Sequence, residues 1–178
     1  MASPDVPVLV ISGAVGAGKS TVAAEAASLL REAAVPHALV DLAQIECCWP
    51  VPDDDPWNER LIHKNLASLW PNFADAGASR LILCRVLESR SLLGPVRAAV
   101  PGAKITVVRL RVPLGELHAR IRRREAAGDP TWYLEAASYL VPVLERAGVE
   151  DHVVDNSGRP ARETAAEVLR LAGWLPDG

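Results

Sequence analysis

Eight residues constrain this chain more than any others: Gly13-Ala14-Val15-Gly16-Ala17-Gly18-Lys19-Ser20, set between an apolar run and an alanine-rich stretch that starts at Thr21. They satisfy G-x-x-x-x-G-K-[ST] at every fixed position. Glycines let the backbone turn tightly and approach a ligand closely, so successive N–H groups can surround a phosphate at the positive end of the following helix. Lys19 then neutralises charge on the β- and γ-phosphates. The Ser20 hydroxyl is a ligand for Mg²⁺, a cation that keeps waters and phosphate oxygens around it. Because the loop follows a strand-like run and opens a helix-like one, a chance glycine-rich turn explains it poorly. The expected ligand is a nucleoside triphosphate, with Gly13 to Ser20 and Thr21 lining its phosphates.

Periodicity organises the rest of the chain around that loop. Pro7–Ser12 has the β-branched and leucine content of a strand buried on both faces, and Lys19 to about Ala34 has helical composition. His37–Asp41 reads as a second strand ending in an acid, followed by CCWPVPDDDPWNE, whose prolines and aspartates argue against regular structure. A helix is expected over Asn58–Gly77, with a kink or split at Pro71 left open, then a third buried strand over Arg80–Leu87 and a short helix over Leu92–Val100. Lys104–Leu110 is the fourth strand candidate, and Pro113–Ala127 a helix started by its proline and ended near Gly128. Thr131–Ala147 reads as a helix broken or bent near Pro142, Val153–Asp155 as the last strand, and Pro160–Ala172 as a closing helix capped by Gly173. Strands alternating with helices predict parallel crossovers and a three-layer α/β fold. With no repeat, low-complexity tract or interdomain linker, residues 1–178 are expected to form one domain.

A formal charge of −3 provides no global basic field, so nucleic acid is not expected as a partner and any anion site must be local. No run approaches the length of a membrane span, and MASPDVPVLVISG lacks a basic region followed by a cleavable apolar segment. A cytoplasmic location and a monomer or homodimer are the expectations. Cys47, Cys48 and Cys84 suggest neither a disulfide framework nor a zinc knuckle and read as reduced, buried or half-buried thiols. His37, His63, His118 and His152 are not spaced as a metal site.

With the glycine loop in hand, the chain resembles the small P-loop kinases of the nucleoside-monophosphate kinase group, which includes shikimate, gluconate and chloramphenicol kinases. The resemblance implies a five-stranded parallel sheet in order 2-3-1-4-5, flanked by helices, with a mobile arginine-bearing lid at about residues 120–135. It also implies ATP and Mg²⁺. No N-K-x-D guanine motif supports a switch GTPase. A second match is Leu117-His118-Ala119-Arg120-Ile121-Arg122-Arg123-Arg124-Glu125, where related kinases carry arginines four apart, one near the adenine and one on the phosphates. Arg120 and Arg124 fit that spacing, and a loose phosphoryl transition state rewards placed guanidiniums. A solvated basic helix face is the competing reading, most evenly for Arg122 and Arg123. In similar kinases the loop after the last strand lies against the adenine; the matching positions are Asn156, Ser157, Gly158 and Arg159, with a plain turn as the alternative.

Asp41 closes the second strand at the carboxyl edge, where open α/β sheets bind ligands. Its counterpart in similar kinases accepts the substrate hydroxyl's proton, orients it or holds a magnesium water, so Asp41 is the leading base candidate; a helix N-cap is the bland alternative. At the third strand the chain departs from its relatives, which often carry an acid there. Here Cys84 and Arg85 stand, followed by Glu88 and Arg90. Glu88 could supply the acid and Arg85 or Arg90 a substrate-side charge, or they form a surface pair. Trp49, Asp53, Asp54, Asp55 and Trp57 make an acidic, aromatic group suited to a cationic or polyhydroxylated acceptor through charge pairing and stacking, or else a solvated acidic turn. The favoured reading is a small-molecule kinase using Lys19, Asp41, Arg120 and Arg124. A regulatory ATPase without a small acceptor is the alternative, and a nucleic-acid-end kinase a lesser one.

Overall fold

The computed structural model describes residues 5–176; the first residues of the segment read for a leader lie outside that range. Five strands, β1 (Val6–Gly13), β2 (Ala38–Asp41), β3 (Leu81–Cys84), β4 (Ala103–Arg111) and β5 (His152–Asp155), form one sheet. All pairings are parallel, in the order β2-β3-β1-β4-β5. The helices are α1 (Lys19–Glu32), α2 (Glu59–Asp75), α3 (Leu93–Ala99), α4 (Leu114–Arg124), α5 (Thr131–Ala147) and α6 (Ala161–Leu171).

The three layers follow from the two-residue period of a strand. Along β1, Leu9 and Ile11 face one core with Val22, Ala23, Ala26 and Leu30 of α1, while Val8 and Val10 face the other with Ile62, Leu66 and Trp70 of α2. Both sets are nearly solvent-free, which is why β1 reads as an unbroken apolar run rather than an alternating one. The register sets Ile11 opposite Cys84, and Cys84 opposite Asp41. The carboxyl ends of β1, β3 and β2 therefore stand side by side where the glycine loop leaves the sheet.

Several element ends differ from expectation for local reasons. β3 stops at Cys84, not Leu87: the Arg85 N–H still reaches the Ile11 carbonyl, but the chain then turns away and the Leu87 N–H takes the Ser12 hydroxyl at 3.2 Å. α1 ends two residues early in a Schellman-type reversal, with the Val35 N–H on the Leu30 carbonyl and Ala34 at φ 54°. α4 ends at Arg124, three residues before Ala127, once three consecutive cations have met its negative C-terminus. Helices α2 and α5 run unbroken through Pro71 and Pro142. Cys84 is buried as expected, but Cys47 and Cys48 are exposed because the segment after β2 loops out of the core.

Candidate nucleotide and acceptor site

The glycine loop owes its shape to backbone angles that only its glycines bear comfortably. Gly13, Gly16 and Gly18 lie at φ 147°, 83° and 91°. A Cβ at Gly13 would come within 2.8 Å of the Leu110 carbonyl oxygen, so the loop is pressed against β4 with no room for a side chain. Helix α1 begins at Lys19 directly after Gly18, with its free N–H groups aimed at the loop. The Lys19 ammonium donates to the Gly13 and Ala14 carbonyls at 2.9 and 3.0 Å. Burial pulls its pKa down to about 8, against the opposing pull of Cys84 and Asp41; Arg124 lowers it further.

Beside the loop lies a cavity of about 520 Å³ whose walls bring together Gly16, Gly18, Lys19, Ser20 and Thr21 with Arg120, Arg124, Asn156 and Arg159. Arg120 and Arg124 behave differently there. The Arg120 guanidinium is a clamp: it donates to Glu116 at 2.7 Å, to the Asn156 carbonyl at 2.6 Å and to the Ala17 carbonyl at 3.5 Å. Asn156 completes the clamp, giving its amide N–H to the Ala17 carbonyl and accepting from Thr164. Arg124 is half exposed, lies over the Tyr133 ring at 4.9 Å and bonds Glu125. Its charge is felt at Lys19, which makes it the freer cation for a phosphoryl group. Arg159 is paired with Glu167, and the Gly158 N–H donates to Glu116. Val15 is half-buried in the loop. Arg123, left open in the sequence, lines the same wall. Glu116 was not foreseen, although its four-residue spacing from Arg120 was a visible signal; Thr164 carried none.

Across the loop, the Ser20 hydroxyl donates to Asp41 at 2.5 Å. Asp41 also accepts the Ala43 N–H, so it caps the short 3₁₀ turn Leu42–Gln44 as well as facing the loop. The acid missing from β3 thus has a neighbour one strand over: Asp41 is the register partner of Cys84. Burial, reinforced by Asp41, pushes the Cys84 thiol up to about 12, so it stays protonated and neutral. A hydroxyl and a carboxylate side by side are hard oxygen donors that fit Mg²⁺. Among the described residues no group of three or more His, Cys, Asp or Glu could hold a metal alone, so such a cation would lean on phosphate oxygens and water.

The acceptor-side residues are rearranged relative to the sequence reading. Asp54 is taken by Arg60 in a two-point exposed pair at 2.7 and 2.8 Å. Asp55 is buried and accepts the Glu59 and Arg60 N–H groups at 2.8 and 3.0 Å, capping α2. The acidic patch is therefore largely occupied by the fold. Trp49 and Trp57 are 89% and 70% exposed rather than packed. Arg85, read from the sequence as a substrate-side charge, turns inward to an ion pair with the part-exposed Glu59, beside His63; Glu59 and His63 were not singled out from the sequence as acceptor groups. Glu88 is exposed and makes no side-chain hydrogen bond among the described residues, and Arg90 donates to the Val149 carbonyl.

No protein-family model matches the chain, and no curated protein sequence matches it. Solved structures do. A gluconokinase from Sinorhizobium meliloti 1021 is similar with a TM-score of 0.58 at 22% identity, over 97% of this chain and 96% of its own. The tunicamycin resistance protein of Deinococcus radiodurans gives 0.67 at 18% identity, over 96% and 97%. A shikimate kinase from Acinetobacter baumannii in complex with shikimate gives 0.56 at 20% identity, over 93% and 92%. The chain has the fold of the small P-loop kinases, a five-stranded parallel sheet in the order 2-3-1-4-5 flanked by helices. No helix among the described residues is long and apolar enough to cross a membrane.

Proposed function

We propose that this chain is an ATP-dependent phosphotransferase that moves the γ-phosphoryl group of ATP to a hydroxyl or similar nucleophile of a small molecule. The observation that carries this reading is the contact between Ser20 and Asp41 at the carboxyl edge of the sheet, next to Lys19 and within the field of Arg124. A carboxylate beside the phosphate loop supports this reading, because an acceptor would approach there. A gluconokinase and a shikimate kinase among the similar structures agree with it.

In this reading the loop N–H groups and Lys19 hold the β- and γ-phosphates, and the Arg120–Asn156 clamp fixes the wall on the nucleoside side. Mg²⁺, bound through Ser20 with Asp41 behind it, would supply charge neutralisation at the phosphates. Asp41 accepts the acceptor hydroxyl's proton as the new O–P bond forms. The bond between the γ-phosphorus and the bridging oxygen breaks, and ADP leaves with the electron pair. Arg124, on a lid of about residues 120–135, stabilises charge on the equatorial oxygens. Cys84 keeps the site's third strand end neutral, leaving Asp41 the acid of this edge.

The test is Asp41→Asn, which preserves shape and removes the proton acceptor. Single-turnover transfer to an acceptor panel should fall by about 10²–10⁴-fold, while nucleotide binding followed by thermal shift should persist. Full activity in that variant would remove Asp41 from the chemistry. Wild-type protein that hydrolyses ATP but gives no phosphorylated product would favour the acceptor-free ATPase.

A further inference from the structure

Five of the seven buried side-chain polar atoms that find no partner among the described residues lie at one place in this molecule. Asn58 Oδ1, Glu59 Oε2, His63 Nε2, Arg85 Nε and Arg85 Nη1 are all shut from solvent with no hydrogen bond. These atoms come from the start of α2 and the end of β3, and the Arg85–Glu59 ion pair joins the two segments. The Arg85 side chain is 8% exposed. Leaving buried donors and acceptors unpaired is costly, so a cluster of them marks a place built for groups the chain itself does not supply.

The chemistry of the set is specific. Arg85 offers N–H donors. Asn58 spends its amide N–H on the Glu46 carbonyl at 2.8 Å, which leaves Oδ1 as an acceptor. His63 has Nδ1 2.6 Å from the Glu59 carbonyl, so Nδ1 carries the proton and Nε2 of the neutral ring is an acceptor. Burial holds the His63 pKa below its usual value, which keeps the ring neutral. The set thus holds both donors and acceptors, with Arg85 paired in charge to Glu59. An ammonium ligand, which only donates, would leave the Arg85 N–H groups unpaired; a carboxylate, which only accepts, would leave Asn58 Oδ1 and His63 Nε2 unpaired and would face Glu59, Glu46 and Asp41, whose carboxylates share this neighbourhood. A hydroxyl both donates and accepts and adds no charge.

Resting on the kinase reading above, we infer that the phosphoryl acceptor is a neutral polyol, its hydroxyls held by Arg85, Glu59, His63 and Asn58 beside Asp41. The adjoining segment 46–58 supports this. Its base is tied down by the Asn58 bond to Glu46 and by Asn65, whose amide donates to the Ile45 carbonyl at 2.8 Å. It carries Trp49 and Trp57 outward, indole faces suited to the C–H face of a ring polyol.

The experiment titrates the full chain, saturated with AMP-PNP and Mg²⁺, with three probe sets: neutral alditols, aldoses and cyclitols; putrescine as an amine; succinate as a carboxylate. At least one polyol is expected to bind and to be phosphorylated from ATP. Its KM should rise about tenfold or more in Glu59→Gln and in His63→Phe, with AMP-PNP affinity unchanged. His63→Gln, which keeps an acceptor atom, should recover part of the loss; a merely structural histidine would not show that difference. Saturation by the amine or the carboxylate alone, or by no polyol, overturns the inference and leaves the kinase reading intact. Failure of AMP-PNP to bind overturns the kinase reading first, and this inference with it.

Discussion

On the nucleotide side Lys19, Arg120 and Asn156 each find protein partners, and the cavity they border stands open at about 520 Å³. Across the glycine loop Arg85, Glu59 and His63 hold polar atoms that are shut from solvent and unpaired among the described residues, beside a segment that turns its tryptophans to solvent. One half is pre-organised by its own contacts; the other is left incomplete. The difference matches the two ligands the reading assigns. A triphosphate offers the same charged oxygens in every such protein and can be met by backbone N–H groups and a lysine. An acceptor is particular to one enzyme, so its site depends on side chains that only its own hydroxyls would satisfy.

The largest effect is expected from Lys19→Ala. Transfer should fall by about 10³-fold or more, because a buried cation on the transferring group is lost, and nucleotide-induced stabilisation should shrink with it. A variant that retained transfer would show that the loop is only a structural turn. Next come the two arginines, which the sequence treats alike and the structure separates. Arg124→Ala should lower kcat by about 10²-fold with little change in melting temperature. Arg120→Ala should cost about 1–3 kcal/mol of stability by leaving the Asn156 carbonyl without its donor. Interchange of those phenotypes would reverse the assignment.

A pH series sharpens the nucleotide half further. Lys19 titrates at about 8 in the ligand-free chain, and phosphate prefers its charged form. Nucleotide affinity should therefore weaken by about tenfold between pH 7 and 9, with proton uptake on binding above pH 8. For the free chain the sign is opposite. A lysine with a lowered folded pKa binds fewer protons than the unfolded chain between pH 8 and 10.5, so stability should rise with pH through that window. A Lys19→Met control should flatten both trends.

What the sequence made legible follows the same divide. The glycine loop and the parallel α/β layering were readable because they rest on local facts, a fixed run of residues and apolar strands alternating with helices; the sheet order came only with the family resemblance that the loop carries. That Asp41 would stand at the carboxyl edge of the sheet was readable because it closes the strand-like run His37–Asp41. The Arg85–Glu59 pair was hidden, since it joins residues 26 apart and depends on β3 ending at Cys84 rather than Leu87. The division of labour between Arg120 and Arg124 was hidden too: helical spacing gives them equal standing, and only the approach of Asn156 from β5 tells them apart. In the acidic stretch the charge was visible but its use was not.

That stretch yields the smallest predicted effect and a direct check on the acceptor half. Asp55 carries a charge that sequence reading offered to a cationic acceptor, yet its two oxygens are spent on the Glu59 and Arg60 N–H groups at the head of α2. Asp55→Ala should accordingly cost about 0.5–2 kcal/mol of stability, as the loss of an N-cap does. Transfer measured well below the melting temperature should stay within about twofold. Asp54→Ala, which breaks an exposed and solvent-screened pair with Arg60, should leave the melting temperature essentially unchanged. If instead either variant raised the acceptor KM while melting normally, the carboxylates would be touching substrate. A cationic acceptor would then displace the neutral polyol, and the incompleteness of the Arg85 cluster would need another explanation.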